Sequence, residues 1–454
     1  MGVRATVKAC LGIGLICAGV AQANPFETTL SNGMKVVVKE DHRASSVVSM
    51  VWYRAGSMDE VDGHSGLAHV LEHMMFKGTP HVPLGQFNAK ISAMGGMDNA
   101  FTSYDYTAYF QQIPPKFLND VMTLEADRMV NLNWVDDEFV RELAVVKEER
   151  RMRTDDQPRA LVIEQLLSSA YREHSYRRPV IGWMQDLDAM RPNDARTWYK
   201  QWYAPNNATL VVVGDVTHEQ VFDLARKNFG KIKARALPEK KDRSEPVQKG
   251  ERRSIVKAPA DLPYVALAWQ APTLRSPSDE DTHALAILAG ILDGYEGARL
   301  SRELVQDKKI AVSVGAGYDR ISRGPSLFIL DGAPTPGHTV SEVETALREQ
   351  IARIAAEGVS ESELARVKAQ VLAAHVYKQD SLMGQAMEIG SLESTGHSWQ
   401  DEAALLEGLR KVSTQAVKAV AQKYFINDAL TVTVLEPLPS NKPQGTANKP
   451  VHTR

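Results

Sequence analysis

The sequence predicts an α+β fold of two homologous domains, each with an antiparallel-rich β-sheet packed against helices. Strand-like and helix-like segments follow one another in a similar order in the two halves of the 454-residue chain. Residues 233–253 are charged and contain two prolines, a composition typical of a linker. The segment VVSMVWYRAG in the first half faintly resembles YVALAWQAPT in the second. Together these observations indicate a duplicated unit of roughly 200 residues.

β-branched residues and helical periodicity predict the individual elements. In the first half we expect two adjacent strands, three helices and a buried strand: residues 34–39, 46–53, 65–75, 116–131, 137–153 and 208–214. In the second half we expect strands at 264–269, 310–317, 326–330 and 430–435, and helices at 283–292, 339–356, 360–377 and 413–425.

Composition places the chain among globular proteins and excludes some partners. Apolar residues make up 43% of it and charged residues 24%. The formal net charge of -3 gives no electrostatic reason to expect nucleic acid or an anionic membrane as a partner.

The N-terminus predicts export from the cytoplasm. An apolar run from Ala9 to Ala21 follows two basic residues, and small residues precede the expected cleavage after Ala23. The run is short for a membrane span, and no other segment approaches that length. A buried N-terminal helix and a lipoprotein anchored through Cys17 are the alternatives. We expect a periplasmic location if the source is a Gram-negative bacterium.

The predicted signal peptide contains both cysteines of the chain, Cys10 and Cys17, so the mature protein can bind a metal only through His, Asp or Glu.

The predicted organisation is a signal peptide at 1–23, a metal-binding N-terminal domain at 24–232, the linker at 233–253, a homologous domain without metal at 254–436 and a disordered tail at 437–454.

The motif H-x-x-E-H begins at His69 and predicts a metal site. On a helix, His69 and His73 lie four positions apart, so both imidazoles project from one face and can bind one zinc ion. Three protein ligands leave zinc a position for water, and Glu72 beside them can act as general base. The alternative is an ordinary exposed polar face of a helix.

A third ligand is required, and the helix predicted near residue 145 offers three carboxylates. Glu142, Glu148 and Glu149 are all candidates, and spacing alone does not choose among them. Glu142 and Glu149 are seven positions apart, on one face and about 10 Å apart along the helix axis. One of them could bind the metal while the other orients a histidine.

H-x-x-E-H followed about 75 residues later by E-x-x-x-V-x-x-E resembles the pitrilysin/insulysin family of inverzincin metallopeptidases, which includes the mitochondrial processing peptidase β subunit. The resemblance implies that Glu149 is the third zinc ligand and that Glu142 is the supporting carboxylate. It also implies that the two domains face each other across a substrate chamber. The second half is similar to the family more loosely. Further similar segments of the first half lie between Leu30 and Asp215: LSNGMKVVV, AGSMDE, GLAHVLEHMMFKGT, GGMDNAFTSYDYTAY, EADRM and WYAPNNATLVVVGD.

The family also implies where the substrate binds. The segment GGMDNAFTS resembles an edge strand to which a peptide adds as an extra strand, with Asn99, Ala100 and Phe101 near the scissile bond. Phe76, one turn after His73, is a candidate for a pocket wall. The alternatives are that Asn99 closes a turn and that Phe76 is an ordinary core residue.

One segment of the second half departs from the family pattern. Members that act alone place an Arg and a Tyr, seven apart, over the active site, whereas this chain has Val305 and Val312 there. Arg302 is close but three residues out of register. This difference favours a heterodimer with a homologous zinc-free subunit that supplies the Arg/Tyr pair. The alternative is a chain that works alone or as a homodimer.

The predicted function is a zinc-dependent endopeptidase with one Zn²⁺ per chain that hydrolyses unfolded peptides. A non-catalytic binding or assembly subunit of the same fold is the main alternative, although such relatives typically lose the zinc ligands. A zinc hydrolase of a non-peptide substrate suits the motif but not the strand-like segment around Asn99.

Overall fold

The computed structural model describes residues 24–239 and 244–439. The predicted signal peptide, residues 240–243 of the predicted linker and most of the predicted tail lie outside these ranges. Within them, no helix combines the length and the apolar character that crossing a bilayer requires.

Six strands form the sheet of the first half, in the order β1-β2-β6-β3-β5-β4. Strands β2 and β6 are parallel, and the other neighbours are antiparallel. The strands are β1 (Phe26–Thr29), β2 (Lys35–Glu40), β3 (Val47–Tyr53), β4 (Met97–Thr102), β5 (Thr107–Ile113) and β6 (Ala208–Gly214).

Five strands form the sheet of the second half, in the order β7-β11-β8-β10-β9. Here β7 and β11 are parallel, and the other neighbours are antiparallel. The strands are β7 (Arg252–Pro259), β8 (Tyr264–Ala271), β9 (Ala311–Tyr318), β10 (Ser326–Pro334) and β11 (Leu430–Leu438).

The two sheets repeat one topology. Apart from β1, both place their strands in the spatial order first, fifth, second, fourth, third, and in both the first and fifth strands are the parallel pair. The predicted α+β architecture with two antiparallel-rich halves is therefore confirmed.

Helices cover both sheets. Those of the first half are α1 (Leu67–Met74), α2 (Gln86–Ala93), α3 (Leu118–Val130), α4 (Asp136–Arg150), α5 (Pro158–Ala170), α6 (Met184–Ala189), α7 (Pro192–Trp202) and α8 (His218–Phe229). Those of the second half are α9 (Glu280–Asp293), α10 (Val340–Glu357), α11 (Glu361–Gln379), α12 (Leu382–Thr395), α13 (Glu402–Lys411) and α14 (Thr414–Tyr424). Two π-helical segments, Arg151–Asp155 and Ser301–Asp307, follow α4 and precede β9.

Each half also covers the sheet of the other. Helix α5 packs on the second sheet, where its Val162 and Leu166 join a buried cluster with Ala266 of β8. Helix α12 packs on the first sheet, where Ile389 joins a cluster with Trp52. Because each sheet buries one face under a helix of the other half, the two halves interlock.

Two expectations about the strands need correction. The segments around β2 and β3 are not adjacent, because β6 lies between them. Local alternation identifies a strand but carries no information about its neighbours. Strand β7 begins at Arg252, inside the predicted linker, and β11 continues to Leu438, two residues into the predicted tail. The two strands pair in parallel over their length, from Arg252 opposite Thr431 to Pro259 opposite Leu438, so each one stabilises the extended form of the other.

Candidate metal centre

Helix α1 presents its two histidines on one face and packs into the core with the other. Leu67, Val70 and Leu71 are buried, whereas the His69 and His73 side chains are 13% and 21% exposed. Periodicity of 3.6 residues separates the two surfaces. The spacing of the motif therefore gives the one-sided arrangement that metal binding needs.

Helix α4 brings Glu149 to these histidines. Its Oε2 atom lies 3.7 Å from His69 Nε2 and 3.5 Å from His73 Nε2. The three donor atoms all lie within 4.8 Å of one another. Glu148, the adjacent candidate, is 59% exposed and pairs with Arg151. The geometry thus selects Glu149 among the three carboxylates that spacing left open.

These donors fit zinc. In a tetrahedral zinc site with bonds of about 2.1 Å, neighbouring ligand atoms lie about 3.4 Å apart. The two distances from Glu149 Oε2 to the histidine nitrogens, 3.7 and 3.5 Å, are close to this value. Two imidazoles and one carboxylate suit zinc better than calcium or magnesium, which prefer oxygen ligands.

Glu142 prepares His73 as a ligand. Its Oε2 atom lies 3.1 Å from His73 Nδ1, and its Oε1 atom lies 2.5 Å from Lys77 Nζ. A proton held on Nδ1 leaves Nε2 free to bind a metal. Burial lowers the pKa of His73, but Glu142 and the neighbouring carboxylates outweigh it, so the net pKa is raised.

His69 is held in its neutral form. Burial lowers its pKa to about 3, and the charges of His73 and Arg153 act in the same direction. Its Nδ1 atom has no hydrogen-bond partner among the residues that the structure describes. A neutral imidazole keeps the lone pair that metal binding uses.

Glu72 lies beside the donors without joining the converging set of His69, His73 and Glu149. Thr102 Oγ1, on β4, donates a 2.6 Å hydrogen bond to Glu72 Oε2. Burial raises the pKa of Glu72, which suits a carboxylate that accepts a proton near neutral pH.

Two family models match successive parts of the chain. The family model for insulinase, peptidase family M16, matches residues 35–183, and that for the M16 inactive domain matches residues 189–371. The zinc protease PqqE of Helicobacter pylori is 30% identical over 417 residues, which span 90% of this chain and 92% of that protein. This chain belongs to the M16 peptidase family. The predicted family resemblance is therefore confirmed.

Two further similar proteins match most of the chain. A probable mitochondrial-processing peptidase β subunit of Arabidopsis thaliana is 24% identical over 421 residues, which span 90% of this chain and 78% of that protein. The crystal structure of a protease from Helicobacter pylori superposes with a TM-score of 0.87 at 29% identity, covering 91% of this chain and all of that one.

Sequence reasoning missed three polar neighbours of the M16 site. Thr102 contacts Glu72, Lys77 contacts Glu142, and Arg153 NH1 lies 2.7 Å from Glu149 Oε1. Arg153 follows Glu149 by four positions, so helical spacing could have revealed this pair. Lys77 lies beyond the end of α1 and pairs with Glu142, 65 positions away in the chain, which no local spacing indicates. Thr102 lies on a strand, and no local signal links it to α1.

Strand β4 is at the edge of its sheet, as expected for the predicted substrate strand, but its side chains divide between two faces. Ala100 packs against the cluster that contains α1. Phe101 instead packs against Trp52, with ring centroids 5.5 Å apart, on the face covered by α12. The Phe101 side chain therefore points away from α1, because alternate residues of a strand point to opposite faces. The predicted part of Phe101 in substrate binding stays a prediction, and it can involve only the backbone of this residue. Asn99 is exposed, and its Oδ1 accepts a hydrogen bond from Ala100 N.

Phe76 lies against the core behind the metal helix. Its ring centroid is 6.1 Å from that of Phe87 and 6.2 Å from that of Tyr109. These contacts agree with the alternative of a core residue and give no support to the predicted role in substrate binding.

The segment that departs from the family pattern lies in the second half. Val305 belongs to the π-helical segment and is partly buried against the second core. Val312 is 43% exposed on the edge strand β9, and Arg302 is paired with Glu303.

Proposed function

We propose that this chain is a zinc-dependent endopeptidase that hydrolyses unfolded peptides. The observation that carries the proposal is the convergence of His69 Nε2, His73 Nε2 and Glu149 Oε2, with the Glu72 carboxylate beside them. The names of M16 relatives such as the zinc protease PqqE support the same activity.

In this mechanism the residues of the chain bind, orient and move protons. His69, His73 and Glu149 would hold a zinc ion, which when bound would supply Lewis acidity for polarising the scissile carbonyl and activating water. Glu72 accepts the proton of the attacking water and donates it to the leaving amine. Thr102 orients Glu72 by holding its Oε2 atom, and Glu142 orients His73.

Edge strand β4 is the proposed binding surface for the substrate. Backbone hydrogen bonds along an edge strand accept any extended peptide and leave side-chain preference to neighbouring surfaces. Thr102 belongs to this strand, so the strand that binds the peptide also touches the proposed general base. Folded proteins lack free extended segments, and this requirement selects unfolded peptides.

Cleavage of a quenched peptide library tests the proposal. We expect hydrolysis that a chelator abolishes and zinc restores, and that Glu72→Gln removes while zinc still binds. A chain that binds zinc but cleaves no peptide, alone or with a homologous subunit, would contradict it.

We further propose that this is the zinc-bearing subunit of a heterodimer, exported by the predicted signal at residues 1–23. Val305 and Val312 cannot donate a hydrogen bond to a developing oxyanion, and loss of such a donor typically costs roughly 100- to 1,000-fold in kcat. A homologous subunit with an Arg/Tyr pair would supply the donors. Purification alone and with that homologue is the test, and full activity of the lone chain would refute the division.

A non-catalytic binding or assembly subunit is the second candidate. The match of residues 189–371 to the M16 inactive-domain model favours it. That match covers mainly the second half, whereas His69, His73, Glu72 and Glu149 all lie in the first. The same library assay separates the two candidates.

A further inference from the structure

Glu60 is a buried carboxylate close to the start of the metal helix. Glu60 directly follows the short 3-10 turn Ser57–Asp59 and is only 3% exposed. Its Oε2 atom accepts a 3.0 Å hydrogen bond from Gly66 N, and its Oε1 atom accepts a 2.8 Å bond from Ala68 N. Neither the sequence motif nor the proposed mechanism uses this residue.

These two bonds satisfy two of the N–H groups at the start of α1 that have no partner within the helix. The first N–H groups of a helix have no partner within it, and an N-cap side chain usually accepts from one of them. The N-cap of α1 is Gly66, which has no side chain. Glu60 therefore performs the capping from a distance, and its negative charge suits the positive end of the helix dipole.

Close backbone packing fixes the same helix end from the other side. Gly66 has φ of +86°, and a Cβ atom there would lie 2.7 Å from the Ile181 carbonyl oxygen. Gly182 has φ of +87°, and a Cβ atom there would lie 2.7 Å from Gly66 Cα. The first turn of α1 is thus held between the Glu60 carboxylate and this glycine contact.

Buried arginines hold Glu60 and its neighbour in turn. Arg178, which is 2% exposed, donates through NH2 to the Glu60 carbonyl oxygen at 2.7 Å. Arg323, from the loop between β9 and β10, pairs with both carboxylate oxygens of Asp59 at 2.7 and 2.8 Å. The cap on α1 is therefore connected to the second half of the chain.

We propose that Glu60 is a positioning residue for the metal centre, which rests on the zinc site proposed above. Ala68, whose N–H group donates to Glu60, immediately precedes His69. His73, the other proposed histidine ligand of the metal, lies on the same short helix. A frayed first turn would displace His69, so metal binding would have to order it first. Capping orders that turn in advance and so raises the affinity for the metal.

The ionised form of Glu60 suits this role, since both oxygens accept N–H bonds. Burial has the largest influence on its pKa and raises it to about 8, so the ionised form predominates above that pH and the cap weakens as the pH falls below it. The Ala68 and Gly66 N–H groups and the charge of Arg178 act in the opposite direction by stabilising the carboxylate.

The test is the zinc affinity of Glu60→Gln, measured by competition with a chromophoric chelator. Glutamine turns an N–H₂ donor toward one of the two N–H groups, so one capping bond is lost. Loss of a cap typically corresponds to about 2- to 30-fold in an equilibrium constant, and we expect a decrease in zinc affinity within that range. Melting temperatures of the zinc-free and zinc-loaded forms provide a second readout, and the stabilisation by zinc should shrink.

Glu344→Gln is the matched control. Glu344 is a similarly buried carboxylate, 7% exposed, which pairs with Arg253 in the second half. Its substitution should lower stability and leave zinc affinity unchanged. If Glu60→Gln does not fold, Glu60→Asp keeps the charge but is too short to reach both N–H groups, and its zinc affinity should also fall.

Zinc affinity equal to that of the unsubstituted chain, with both melting temperatures lowered alike, would overturn the inference by assigning Glu60 a purely structural role. The proposed function would survive that result. Failure of the unsubstituted chain to bind zinc would instead refute the metal site itself.

Discussion

Helices α1 and α4, which carry the candidate metal ligands, have counterparts at the same places in the topology of the second half, namely α9 and α11. The two pairs of helices contact each other through different kinds of surface. Helices α1 and α9 each follow the second of the five repeated strands of their sheet, and α4 and α11 are each the second helix after the fourth. Between α1 and α4 lie imidazoles and carboxylates. Between α9 and α11 the contact is apolar and so close that a Cβ atom on Gly290 would lie 2.7 Å from Val367 Cγ1.

The difference shows how a duplicated fold divides two tasks. The second pair buries Ile287, Leu288 and Ile291 of α9, and each such side chain contributes roughly 1.5–3 kcal/mol to folding. The first pair leaves its donors partly exposed and holds them by polar contacts such as Glu142 with His73 and Lys77. The proposed chemistry therefore depends on the first pair, and the second pair contributes mainly to stability.

The largest expected effect is on catalysis through the first pair. Glu72→Gln removes the proposed general base, and we expect kcat to fall by about 10²- to 10⁴-fold while zinc affinity is retained. Steady-state kinetics on a quenched peptide measures it. As the control, Glu363→Gln changes a carboxylate of α11 that pairs with Arg299 and should leave kcat unaltered. An equal loss in both variants would contradict the division of tasks.

A smaller effect is expected from the residue behind the zinc ligands. Glu142→Gln weakens the orientation of His73, and loss of such a partner typically lowers metal affinity about 10- to 100-fold. Competition with a chelator measures this change. Glu148→Gln, on the same helix but 59% exposed, is the control and should have no effect. Unchanged affinity in Glu142→Gln would show that α4 contributes only Glu149.

In the second pair the expected change is in stability. Gly290→Ala forces a methyl group against Val367, and overpacking of this kind costs about 1–3 kcal/mol in the free energy of unfolding. Denaturant unfolding measures the cost, and zinc affinity should not change. Gly317→Ala is the control, because a Cβ atom there meets no described atom within 4 Å. A large loss of zinc affinity in Gly290→Ala would mean that the tasks are not separable.

The smallest effect is expected where the substrate strand touches the general base. Thr102→Val removes one hydrogen bond to Glu72, worth about 0.5–1.5 kcal/mol, and should lower kcat roughly 2- to 12-fold with little change in KM. Thr102→Ser keeps the hydroxyl and should restore most of the rate. If the valine and serine variants have the same kcat, the hydroxyl has no role in orienting Glu72.

Most single elements could be predicted from the sequence, whereas their partners could not. The segment 208–214 was predicted as a buried strand and is β6, yet its insertion between β2 and β3 was not foreseen. The crossed packing of α5 and α12 was also missed. The sequence of neither helix predicts which sheet the helix packs on, since an apolar helix face can pack on any complementary surface.

The candidate site divides in the same way. The one-sided placement of His69 and His73 follows from the sequence, because helical geometry places residues four apart on one face wherever the helix lies. The choice of Glu149 came from family resemblance and agrees with the geometry, whereas spacing alone left three carboxylates open. Phe101 was assigned to the site but faces the other side of the sheet.

Local periodicity was thus sufficient for the two halves, for about half of the helices, for most of the strands and for the spacing of the histidines, since these depend on neighbours within a few residues. It did not predict the helices α5 and α12. Only the folded chain brings Thr102 to Glu72, 30 positions away, and Glu142 to His73, 69 positions away. The cap of Glu60 on α1 and its connection to Arg323 belong to the same class. Such contacts depend on sheet order and helix packing, which are set by many weak interactions at once and leave no periodic trace in the sequence.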